Sequence, residues 1–200
     1  MDTTQGVFMP TIAPVTLPIE EFEWVSFDVD DTTALAPLVL PRLTSLDLRE
    51  GVEANLFALH SRSAIKLNAL ILTFFELTVP GFSAFLRDMS SLTALALYQC
   101  ISITDDFLEC LVYNPSTRTV LPQLERLIMA TDHAHFSERV MMRMIDSRWT
   151  RQDPPTPLVK VRLTRSDMVE KSPRSRREHS EVLDWVVRVV EAGLELDYSH

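Results

Sequence analysis

The sequence predicts an α/β protein, an irregular solenoid of about six strand–turn–helix units with a parallel sheet on its concave face. Three observations predict it. An L-x-x-L-x-L pattern recurs along the 200 residues, its copies start 21, 24, 25, 32 and 34 residues apart, and the intervals carry apolar residues at helical spacing. Each interval is long enough for one strand and one return segment.

The elements follow in order. Phe22, Val25 and Phe27 in FEWVSF form the weakest copy and predict an edge or capping strand over 22–27. That strand belongs to an acidic, proline-containing segment, 1–34, set before a single repeat domain over 35–200. Leu43, Leu46 and Leu48 in LTSLDL open the next unit, followed by a short helix over Val52–His60. Leu67, Leu70 and Leu72 repeat the pattern, and Val79-Pro80-Gly81 leads into FSAFLRDM, with Phe82, Phe85, Leu86 and Met89 on one face.

Leu92, Leu95 and Leu97 are the next copy. Thr104 or Asp105 then caps a helix that turns Phe107, Leu108, Leu111 and Val112 inward. Leu124, Leu127 and Met129 precede SERVMMRMIDSRW, in which Met141, Met142 and Met144 are core filler. Leu158, Val161 and Leu163 precede HSEVLDWVVRVVEAG, which Gly193 terminates, and LELDY (194–198) reads as one more strand. One such unit cannot bury its apolar side alone. Stacking sets each leucine against those of the neighbouring unit, which is the grammar of a leucine-rich-repeat solenoid. Cys100 falls at the ninth position of L-x-x-L-x-L-x-x-C, where a small side chain with a weak S–H donor suits the turn out of the strand.

Composition bounds the function. A net charge of −9 argues against general nucleic-acid binding, which needs an excess of Lys and Arg. Four glycines disfavour Gly-rich phosphate loops, and two cysteines fit a reducing compartment. No N-terminal export signal is visible, and no apolar run reaches the roughly 20 residues that span a bilayer, so the cytosol or nucleus is the expected compartment and no membrane partner is expected. Charge is uneven. Residues 1–41 hold Asp2, Glu20, Glu21, Glu23, Asp28, Asp30 and Asp31 with no Lys or Arg. Residues 160–178 hold seven bases against three acids, and 165–178 reads as a solvated basic loop, with a regulatory or nuclear-import role as the alternative.

The stretch Leu95–Leu111, with C-x-x-I-T-D and then L-x-x-L, resembles the cysteine-containing leucine-rich repeat of F-box proteins. LVLPRLTSLDL (38–48), HSRSAIKLNALIL (60–72), LPQLERLIM (121–129), MIDSRW (144–149) and PLVKVRL (157–163) resemble, in that order, the degenerate repeats of fungal F-box proteins. The resemblance implies a protein-interaction domain, the substrate-recognition part of an F-box-type ubiquitin-ligase receptor, needing no cofactor. In that family an N-terminal F-box binds the Skp1 adaptor. Residues 1–34 lack such a helical sequence, TLPIEEF (16–22) echoing only its start, so Skp1 is a partner only if an F-box lies upstream. A stand-alone repeat scaffold is the alternative.

A different class is raised by VSFDVDDT (25–32), which matches the D-x-D-x-T signature of haloacid-dehalogenase-type phosphatases. Asp28 would be the nucleophile and Asp30 the general acid, with Mg²⁺, Asp105-Asp106 and Lys66 or Lys160 completing the site. The prolines of TTALAPLVLP break the helix that should follow, and Asp105-Asp106 suits a helix start, so a non-enzyme is expected. His133 and His135 in TDHAHF lack a third ligand in sequence and read as a polar loop.

Binding is expected on the strand face. Side chains alternate across a strand, so the positions between the leucines point away from the ladder. The expected row runs Trp24, Ser26, Asp28; Ser45, Asp47, Arg49; Ala69, Ile71, Thr73; Ala94, Ala96, Tyr98; Arg126, Ile128, Ala130; Lys160, Arg162, Thr164; and Glu195, Asp197. From it Trp24, Asp47, Arg49, Ile71, Tyr98, Arg126, Ile128, Lys160 and Arg162 are the candidate partner-binding residues. An apolar centre with a charged rim is the anatomy of a protein interface.

Overall fold

Alternating apolar and polar side chains make a strand two-faced, and here the apolar faces line up across the whole sheet. In the computed structural model, residues 13–25, 35–100, 103–114, 116, 119–131, 136–149, 158–165 and 173–199 are described. The strands are β1 (Val15–Thr16), β2 (Glu21–Val25), β3 (Leu38–Val39), β4 (Ser45–Val52), β5 (Ala69–Glu76), β6 (Ala94–Tyr98), β7 (Arg126–Thr131), β8 (Lys160–Arg165) and β9 (Glu195–Ser199). The helices are α1 (Glu53–Ser63), α2 (Val79–Asp88), α3 (Asp105–Leu111), α4 (Glu138–Trp149) and α5 (Pro173–Glu191). The protein is α/β, with a seven-stranded parallel sheet in the order β2-β4-β5-β6-β7-β8-β9. A second, two-stranded sheet pairs β1 with β3, so chain before and after residue 34 is joined in both sheets.

Two rows of side chains cross the main sheet in register. Leu46, Leu70, Leu95, Leu127 and Val161 form one, and Leu48, Leu72, Leu97, Met129 and Leu163 the other. None of the ten is more than 1% exposed. Complete burial of one such side chain contributes about 1.5–3 kcal/mol. The helices cover these rows, each packing on the next along the chain. A column of rings runs through the helix layer, with Phe57–Phe85, Phe82–Phe85 and Phe82–Phe107 centroids 5.6, 6.0 and 5.9 Å apart.

Backbone bonds repeat with the units. The carbonyl just before each of β4, β5, β6 and β7 accepts two N–H groups from the next unit: Thr44 O from Asn68 and Ala69, Asn68 O from Thr93 and Ala94, Thr93 O from Glu125 and Arg126, Glu125 O from Val159 and Lys160. Acids at helix starts link the helices in the same way. Glu53, the first residue of α1, accepts from the N–H and hydroxyl of Thr78, the N-cap of α2, both at 2.8 Å. Asp105, the first residue of α3, accepts from the Ser137 N–H ahead of α4 at 2.6 Å.

Two interior features complete the frame. Arg148 of α4 is 1% exposed, and its guanidinium donates to three carbonyls, one at the end of α3 and two in the α3–β7 connection: Leu111 O at 2.6 Å, Leu121 O at 2.9 Å and Val120 O at 2.6 Å. Leu121 is held there in the left-handed region, φ 50°. Cys100 is buried at the end of β6, its thiol donating to Leu72 O at 3.5 Å and Tyr98 O at 3.6 Å. Burial pushes the Cys100 thiol up to about 11, against the backbone bonds that lower it, so it stays a protonated turn residue.

Two expectations are corrected. The strand expected over 22–27 is β2, Glu21–Val25, with 26 and 27 outside the described residues, and its register differs by three positions: Phe22 pairs with Leu46 and Trp24 with Leu48. An odd slip turns every side chain to the other face. Phe22 and Trp24 stack at 6.2 Å and pack against the core, so Trp24 belongs to the apolar rows and Glu21, Glu23 and Val25 to the open face. The alternation E-F-E-W-V, acids out and rings in, outweighs the match to the leucine spacing. The basic loop expected over 165–178 is also shortened, because α5 begins at Pro173, a residue that suits a helix's first turn.

Leu95→Ala is expected to cost about 2–5 kcal/mol in denaturant unfolding, because the row leaves nothing to fill the space. Arg148→Met keeps the bulk but strands three buried carbonyls, and a loss of about 3 kcal/mol or more is expected in the same measurement.

Candidate partner-binding face

The face of the sheet opposite the helices is built by the residues between the leucines. Its middle row runs Glu23, Asp47, Ile71, Ala96, Ile128, Arg162, Asp197 across the seven strands. The flanking rows are Glu21, Ser45, Ala69, Ala94, Arg126, Lys160, Glu195 and Val25, Arg49, Thr73, Tyr98, Ala130, Thr164, Ser199. Of the nine expected residues, eight therefore share this face and Trp24 does not.

Ile71, Ala96 and Ile128 form the apolar centre, with Tyr98 beside Ala96 on the same strand. Ile71, Tyr98 and Ile128 are half-buried, and Ala96 is closed over by its neighbours. The charges sort to either side. On the N-terminal side Arg49 pairs with Glu23 at 3.1 Å and approaches Asp47 at 3.8 Å. On the C-terminal side Lys160 pairs with Glu195, and Arg162 Nε donates to Asp197 Oδ2 at 2.8 Å. Arg126 is exposed and has no ion pair among the described residues.

Asp47 stands out among these groups. Its Oδ1 is buried with no hydrogen-bond partner among the described residues, and burial pushes its carboxyl above the usual range, opposed by the Arg49 guanidinium and reinforced by Glu23. The C-terminal rim carries a second anomaly. Glu50, Phe74 and Gln99 follow the paired residues Arg49, Thr73 and Tyr98, and all three are left-handed at φ 61°, 55° and 51°. Each costs of order 1 kcal/mol or more. The reversal leaves Phe74 58% exposed and sends Phe75 into the core. There the Phe75 ring lies so close to Gly51 that a Cβ on Gly51 would meet it at 2.7 Å. The spacing of the leucines carried no signal for these turns.

The other candidate chemistry is not brought together among the described residues. Asp28, Asp30, His133 and His135 lie outside the described residues. Lys66 and Lys160 stand at the N-terminal ends of β5 and β8, whereas Asp105 lies past the C-terminal end of β6 and serves Ser137. Among the described residues no group of three or more His, Cys, Asp or Glu is placed to hold a metal ion. None of their helices is long and apolar enough to cross a membrane. A half-open pocket beside Phe82, Leu97 and Phe107 has about 10 Å³, at most room for one water. Comparison of the chain with protein-family models, with curated proteins and with solved structures finds no match.

A carboxyl whose pKa is raised by folding binds its proton more tightly in the folded chain, so stability falls as pH rises through the interval between the unfolded and folded values. Asp47→Asn is therefore expected to melt above the wild type at pH 7. The two melting curves should converge as pH drops below about 3.9, the unfolded carboxyl value.

Proposed function

We propose that the chain is a leucine-rich-repeat-like solenoid that binds another protein through its open sheet face. The observation that carries this reading is the half-buried apolar centre Ile71–Ala96–Ile128 with Tyr98, bounded by charges most of which are paired within the face, Arg126 having no ion pair among the described residues. An apolar centre that a partner desolvates, with an aromatic anchor and an available arginine, has the composition of an interface hot spot. The left-handed residues at the rim support it, since strain of this kind gathers at binding sites and lifts Phe74 toward a partner. Within that reading, the resemblance to F-box repeats makes the partner a ubiquitylation substrate. A stand-alone scaffold is the same face without the ligase.

Tyr98→Ala and Arg126→Glu are each expected to weaken partner capture about fivefold or more while leaving the melting temperature unchanged, since neither side chain is in the core. Crosslinked capture from source-cell extract, compared between wild type and both variants, measures it. Equal capture by all three would end the reading. The ligase link rests on a separate measurement, binding of purified Skp1 by the product of the longest reading frame that contains this chain.

A further inference from the structure

The C-terminal end of the array forms a second surface, distinct from the open face. Among the described residues β9 has a strand neighbour, β8, on one side alone. Alternate backbone N–H and C=O groups of Glu195–Ser199 therefore point away from the sheet, as a template for another strand. Beside this edge lies α5. Its core flank carries Val182, Trp185 and Val189, at 2%, 1% and 4% exposure. Trp185 Nε1 donates to Asp146 Oδ1 of α4 at 2.9 Å, which fixes the flank of α5 that faces back along the array. At about 100° per residue, Leu183, Val187 and Val190 come up on the opposite flank. They are 49%, 55% and 45% exposed. Both layers thus end on the same side, an unpaired strand edge in one and an apolar helix stripe in the other.

Charge decides what fits. On β9 the open-face residues are Glu195 and Asp197, and on the other edge of the sheet β2 presents Glu21 and Glu23. Head-to-tail stacking of two copies would set acids of β9 beside acids of β2, and antiparallel pairing of two β9 strands would set acid against acid. Directly opposed like charges destabilise a strand pair. Within the sheet, by contrast, Glu195 and Asp197 are matched on their inner side by Lys160 and Arg162. We propose that this end takes an extended segment of another protein as an added strand, with basic residues beside Glu195 and Asp197 and alternating apolar residues packed under Leu183, Val187 and Val190. Main-chain bonds would supply affinity, and the alternation would supply specificity.

The test uses the full chain and a fluorescent eight-residue peptide alternating Lys and Val, against a peptide of the same residues in two blocks and one N-methylated along its backbone. The alternating peptide is expected to bind at least tenfold more tightly than either control and to protect the β9 amides from hydrogen exchange. Leu183→Asn and Val187→Asn should each weaken it severalfold. Both positions are exposed, so the variants are expected to melt with the wild type. Equal binding of the blocked peptide would reduce the effect to attraction by the net charge of −9 and overturn the proposal. So would unprotected β9 amides, variants that bind as wild type, or a dimer in sedimentation equilibrium that Val187→Asn dissolves, which would make the occupant a second copy.

Discussion

Everything in this protein depends on the register of its parallel strands. Because side chains alternate, one choice of register places Leu46, Leu70, Leu95, Leu127 and Val161 in a continuous buried row and, at the same stroke, turns Asp47, Ile71, Ala96, Ile128 and Arg162 to the open side. A slip of one residue would exchange the two sets. The leucines gain most from the choice, and the open face is what remains once they are satisfied.

Polar devices hold that register between units. The carbonyls of Thr44, Asn68, Thr93 and Glu125 each take two N–H groups from the following unit, and Glu53 and Asp105 tie one helix start to the next. Arg148 does the corresponding work where the chain is least regular. A guanidinium can donate five times, and spending three of those bonds on Leu111, Val120 and Leu121 closes a connection that no strand or helix would otherwise satisfy. A buried cation without these acceptors would be unaffordable in the core.

The surface follows from the same economy of contacts. Cross-strand pairs neutralise Arg49, Lys160 and Arg162 in place, so most of the face's charge is already committed and its centre is apolar. The strained residues Glu50, Phe74 and Gln99 lie in a line because each follows the same register position on adjacent strands, β4 and β5 resuming their pairing at Gly51 and Phe75. At the C-terminal end the array presents an edge strand and an apolar helix flank together, since the geometry that stacks one unit on the next recurs where no described unit follows.

Apolar spacing along the chain marks the seven strands of the main sheet, the five described helices and eight of the nine candidate face residues, because leucine spacing reports burial directly and burial sets the alternation; it gives no sign of β1 and β3. It misplaced Trp24, since at β2 two apolar patterns compete and only packing against the core and pairing with Leu48 decides between them. Arg148 was legible in part, lying in the same helical stripe as Met141, Met144 and Ile145, yet its acceptors are carbonyls 27 to 37 residues away that no local pattern marks. The left-handed rim, the buried oxygen of Asp47 and the free flank of α5 were decided by tertiary structure alone. Each depends on which neighbour occupies the space beside it, and spacing within one element carries no record of that.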